Sequence, residues 1–167
     1  YVLANRSVRR PIIVMLVIGT AAYNFLVTVP SIVQFTFGRG ADAMGLVFGV
    51  SSVGTLFGAY LAARHPPSDR RIAGSLAVMG AALLSLGLAP AFGWFVVSMV
   101  PMGASSAYLQ AMLVSSLQRE SEQVMRGRVM SLYQIAWQGT TPIGTPLMGL
   151  VAQVTSSRVP FVLAAVA

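Results

Sequence analysis

RGRVMSLYQIAWQGTTPIGTPLMGLVAQ, residues 126–153, decides how the chain folds. It opens on two arginines, Arg126 and Arg128, and runs on without charge through Gly139, Pro142, Gly144, Pro146 and Gly149. In water an interior proline costs a helix about 3 kcal/mol and a glycine about 1 kcal/mol. Either the run is not helical, or its solvent is not water.

Composition chooses the second. Of 167 residues, 56% are hydrophobic and 9% charged, and the mean hydropathy is +0.75. Soluble domains carry about 25% charged residues. A globular protein of this length cannot hide so much apolar surface, so the expected solvent is lipid. There the backbone finds no water to bond and the helix satisfies its polar groups internally. Neighbouring helices and threonines such as Thr140 and Thr141 can then take up the groups freed by Pro142 and Pro146. The chain begins at Tyr1 and stops inside the apolar run RVPFVLAAVA, so it reads as a piece of a longer protein.

The net charge of +7 does not point to nucleic acid. The basic residues, all arginine, sit in short clusters between apolar runs and form no basic face. The absence of cysteine leaves no disulfide framework, thiolate nucleophile or cysteine metal site. Neither a cofactor nor a metal is expected.

A spanning helix needs about 20 mostly apolar residues. The apolar runs place spans at about 11–37, 44–63, 72–89, 94–117 and 129–152, with a sixth begun at 159–167. Their length and lack of alternation argue against barrel strands. Arg6, Arg9 and Arg10 precede the first run; Arg64, Arg70 and Arg71 follow the second; Arg119, Arg126 and Arg128 follow the fourth. The opposite loops hold Arg39 and Arg158. The positive-inside rule puts the N-terminal flank and the arginine-rich loops in the cytoplasm.

Polar side chains within a span are costly and usually face protein or a watery cavity. Thr20, Asn24, Thr28 and Ser31 share one face of span one, with Tyr23 and Gln34 near its edges. Gln134, Gln138, Thr141 and Thr145 repeat that spacing in span five, beside Tyr133 and Trp137. Span four adds Ser98, Ser105, Ser106, Tyr108 and Gln110. Two readings compete. The first is a polar, aromatic-lined pathway between helices. In the second, Ser and Thr bond their own backbone and the amides bond a neighbouring helix.

Span two carries Gly45, Gly49, Gly54 and Gly58, two G-x-x-x-G pairs of the kind that let helices approach closely. The same packing suits helices that slide or rock. Asp42, Asp69, Glu120, Glu122 and His65 all fall in loops, leaving no carboxylate or histidine within a span. Proton relays usually use such groups, so a coupling residue, if there is one, lies outside this chain. An intramembrane enzyme is disfavoured for the same reason.

These features together resemble half of a major facilitator superfamily transporter. The span-five stretch is similar to the enterobactin-exporter-like branch of drug and siderophore effluxers: R-G-R-V-x-S enters the helix, and G-x-x-P-x-G-x-x-x-x-G follows at Gly139, Pro142, Gly144 and Gly149. The resemblance makes Pro11–Phe37 helix seven and Val159 the start of helix twelve of an all-α, polytopic bundle. One departure stands out. The superfamily loop G-x-x-x-D-R-x-G-R-R is matched by Gly58 followed by AYLAARHPPSDRR, where Ala62 or Ala63 replaces the acidic residue. Arg64, Arg70 and Arg71 keep the basic cluster, and Asp69 can pair with an arginine of that loop.

What the resemblance implies is a C-terminal six-helix half in a bacterial inner (plasma) membrane. It would export a drug- or siderophore-like small molecule by alternating access, with proton antiport by family likeness. Its partners would be membrane lipid, the small-molecule substrate and the N-terminal half of the same transporter, with no nucleic acid. Helices seven and ten would line the cavity, and eight and eleven would meet the other half. Tyr23, Asn24, Thr28, Tyr108, Gln110, Gln134, Trp137 and Gln138 are the pathway candidates. Gly45, Gly49, Gly54, Gly58, Gly139, Pro142, Gly144, Pro146 and Gly149 shape interfaces or a bend. Arg64, Arg70, Arg71, Arg126 and Arg128 are cytoplasmic anchors. The alternative is a non-transporting scaffold or sensor that keeps the fold, which would need a signalling domain or a longer loop.

Overall fold

A computed structural model of the chain describes residues 5–21 and 29–139. Among them all regular structure is helical. Five helices follow one another: α1 (Arg6–Ala21), α2 (Ala41–Arg64), α3 (Asp69–Gly87), α4 (Phe92–Glu120) and α5 (Arg126–Gly139). A π-helical turn at Ile32–Thr36 closes the segment that follows α1. Thr140, Thr141, Pro142, Gly144, Thr145, Pro146 and Gly149 of span five lie outside the described residues, as does the sixth span.

Each boundary has a local cause. The π turn ends where Gly38 takes φ +60°, a left-handed conformation that costs glycine nothing. The Arg39 N–H then reaches back to the Val33 carbonyl at 3.0 Å. Asp42 stands in the first turn of α2 and Arg64 in its last, each favourable to the helix dipole. The Ser68 hydroxyl caps α3 by accepting from the Arg71 N–H at 3.4 Å. Arg71 in turn donates from its guanidinium to the Pro66 carbonyl, closing the α2–α3 loop.

Helix α2 begins three residues before the predicted span, and α4 extends to Glu120, three residues past it. At 1.5 Å per residue the 29 residues of α4 measure about 43 Å, longer than a hydrocarbon core of about 30 Å. Both α2 and α4 are long and apolar enough to cross a membrane. Only 22% and 39% of their apolar windows are buried, so neither is packed like the core helix of a soluble domain. Leu46, Val53, Leu56, Phe57 and Tyr60 of α2 are exposed, a surface that lipid tails can cover at no cost.

The α2–α4 pair is the most extensive helix contact, followed by α3–α4. Two glycines of α2 set its closeness. A Cβ on Gly54 would overlap the Val100 carbonyl, and one on Gly58 the Ala104 carbonyl. On the other side, a Cβ on Gly103 of α4 would overlap the Ser51 carbonyl. The pairings 54 with 100 and 58 with 104 advance together, so α2 and α4 run parallel. That is what second and fourth spans of an up-and-down chain must do. Gly45 and Gly49 differ: a Cβ on either meets nothing within 4 Å. Of the two G-x-x-x-G pairs, one packs within the described bundle and the other faces open space.

The ends of the bundle sort as alternation requires. At one end the Arg39 guanidinium lies 4.4 Å over the Phe92 ring, and Phe37 meets Phe92 and Phe95 at 5.7 and 5.6 Å between centroids. At the other, Arg10 and Asp69 approach to 3.7 Å. The partner of Asp69 is thus an arginine ahead of span one, not one of its own loop. Arg71, two residues on, is committed to the Pro66 carbonyl.

Candidate functional site

Several helical hydroxyls bond the backbone of their own helices. Thr20 donates to the Leu16 carbonyl at 2.8 Å, Ser52 to Phe48 at 2.8 Å and Thr55 to Ser51 at 3.0 Å. Ser75, Ser105, Ser106 and Ser131 bond likewise within one turn. This is the back-bonding open to any Ser or Thr in a helix. One set does more. Ser85 of α3 and Ser98 of α4 share a hydrogen bond of 2.8 Å, and the Trp94 indole N–H donates to Ser85 at 2.9 Å. Ser98 also donates to the Trp94 carbonyl. The group clasps α3 to α4 and offers nothing to a ligand.

The amides of α5 are placed differently. Val129, Tyr133 and Ala136 are buried, while Gln134 and Gln138 are exposed. Gly127, Ser131, Gln134 and Gln138 form one uncovered stripe at helical spacing, and neither amide has a side-chain hydrogen bond among the described residues. Tyr133 faces inward with its hydroxyl unpartnered, its ring 6.5 Å from that of half-buried Trp137. Gly139 has its nearest neighbour in the Ile135 side chain of its own helix, at 3.7 Å from an added Cβ.

The remaining predicted residues are scattered. Tyr108 is half-buried and meets the His65 ring edge-on at 6.3 Å, which puts it level with the end of α2. Gln110 is half-buried two residues on. The anchors Arg70, Arg126 and Arg128 are exposed, and Arg64 lies 4.4 Å over the Tyr60 ring. Tyr23, Asn24 and Thr28 lie outside the described residues.

Among the described residues, two of the clefts between helices bear on a site. The larger, about 570 Å³, lies beside the Arg10–Asp69 pair, with Glu120 at its rim and apolar walls from α1, α3 and α4. The smaller, about 220 Å³, lies between the middles of α2 and α4. Its lining includes Phe48, Ser51, Thr55, Met99, Met102 and Ser106, of which Ser106 alone stands out in the sequence, as a polar residue within an apolar run. A further signal was available in Met99 and Met102 flanking Pro101 on one helix. No group of three or more His, Cys, Asp or Glu able to hold a metal occurs among the described residues.

A family model described as Major Facilitator Superfamily matches residues 12–167. No curated protein and no solved structure matches the chain.

Proposed function

The chain belongs to the Major Facilitator Superfamily, whose members are membrane transporters, and on that premise we propose that it forms the C-terminal six-helix half of a secondary exporter. Its cargo is a small drug- or siderophore-like molecule, moved by alternating access against an N-terminal half. Its N-terminal flank lies in the cytoplasm of a bacterial inner membrane. Proton antiport is the expected coupling, through a residue outside this chain.

The observation that carries the reading is the uncovered amide stripe of α5. An amide has four hydrogen-bonding sites, and a lipid-facing Gln134 or Gln138 would leave them unsatisfied at a cost of several kcal/mol. Both therefore face a watery pathway, a substrate or the other half. A parallel α2–α4 pair held by glycines and no interhelical charge supports motion of the half as one body.

The test is efflux of ethidium from cells expressing the full-length protein. Gln138→Leu and Gln134→Leu are expected to lower the efflux rate on the order of tenfold, equivalent to about 1.4 kcal/mol, with membrane abundance unchanged. Wild-type rates for both variants would remove these residues from the pathway.

A further inference from the structure

We propose that the cleft between the middles of α2 and α4 is a subsite for the planar aromatic portion of the transported molecule. This rests on the exporter reading and names part of its cargo. Ser51 lies ten residues from Ala41 and Thr55 nine from Arg64, about 15 Å from either end of α2. The cleft is therefore at mid-depth, where transporter substrates bind. Val29, from the segment that follows α1, also lines it.

Its chemistry is mostly apolar, since two of its three hydroxyls are taken up by their own helices and Ser51 alone is left to meet an occupant. The Thr55 and Ser106 hydroxyls donate to the Ser51 and Gly103 carbonyls of their own helices at 3.0 Å each. They ask no hydrogen bond of an occupant. Met99 and Met102, both buried, supply soft, adaptable thioethers that make favourable contacts with aromatic rings. Phe48, 38% exposed, stands at the rim and can stack on a ring edge-on or offset. At about 220 Å³ the space is smaller than pockets that enclose whole drug-sized ligands, about 300–1,000 Å³. It suits one end of such a molecule. Gly103 closes one side, because any larger residue would push α2 and α4 apart.

The chain has no cysteine, so single thiols report on the cleft directly. Ser51→Cys, Ser106→Cys and the control Ser52→Cys are introduced into the full-length protein freed of other cysteines. Each is alkylated with N-ethylmaleimide, with and without ethidium. Ser52 sits at the same depth on α2 but does not line the cleft. Ethidium is expected to slow alkylation at Ser51 and Ser106 at least about threefold and to leave Ser52 unchanged. Ser106→Phe, which fills the cleft, should weaken ethidium binding by about tenfold without lowering Tm by more than a few degrees. Export of ethidium with no protection, or with equal protection at all three positions, overturns the subsite and leaves the exporter reading standing. A wild-type protein that neither binds nor exports ethidium overturns the subsite, and one that also exports none of a panel of drugs and siderophores overturns the exporter reading with it.

Discussion

Gly54 and Gly58 hold α2 against the α4 backbone, whereas Gly45 and Gly49, in the same motif, touch nothing beyond their own helix. A methyl group at either packed position overlaps a carbonyl oxygen, which cannot rotate away as a side-chain end can. Gly54→Ala and Gly58→Ala should each destabilise the protein by about 1–3 kcal/mol. Gly45→Ala and Gly49→Ala should be neutral or slightly stabilising, since alanine is the better helix former by about 1 kcal/mol. Thermal unfolding of the four single alanine variants in detergent measures the contrast; equal losses at all four would contradict it. From sequence the two pairs are indistinguishable. Spacing declares a close-packing surface but not which neighbour uses it. The amides show the converse: Gln134 and Gln138 were legible as costly groups at membrane depth, and both are uncovered. Tyr108, singled out by its position in an apolar run, meets the His65 ring edge-on just past the end of α2, a contact that spacing alone does not show.

At the scale of elements, the α3–α4 contact depends on the clasp of Ser85, Ser98 and Trp94. Interhelical hydrogen bonds in membranes average about 0.6 kcal/mol. Ser85→Ala removes the bridge and should cost about that much, while Ser75→Ala, whose hydroxyl bonds only the Ile72 carbonyl of its own helix, should cost close to nothing. Reversible unfolding in mixed micelles reads both, and a larger loss at Ser75 would refute the assignment. Helices α2, α3 and α4 begin and end within three residues of the apolar runs, because Gly38, Ser68 and the Pro66–Pro67 loop begin or end helices for local steric and hydrogen-bonding reasons. Tertiary partners were not legible in this way. Sequence spacing puts Asp69 beside the arginines of its own loop, but Arg10 of α1 meets it. Both side chains are largely exposed, so the pair contributes under about 1 kcal/mol. Asp69→Asn should leave Tm within a few degrees of wild type.

For the whole molecule, the parallel register of α2 and α4 and the gathering of Arg39 with Phe92 at one end are what an alternating chain requires. On the proposed topology, the arginine clusters would give that alternation its direction. A membrane-impermeant maleimide applied to intact cells should label Arg39→Cys and spare Gln123→Cys until the membrane is opened; the reverse pattern would invert the topology. Transport itself is tested most directly in inside-out vesicles bearing the full-length protein and energised by respiration, with ethidium uptake followed by fluorescence. The exporter account predicts accumulation that a protonophore abolishes and that Gln138→Leu reduces on the order of tenfold, about 1.4 kcal/mol. Uptake no greater than in vesicles lacking the protein, for ethidium and for a panel of drugs and siderophores, would contradict it.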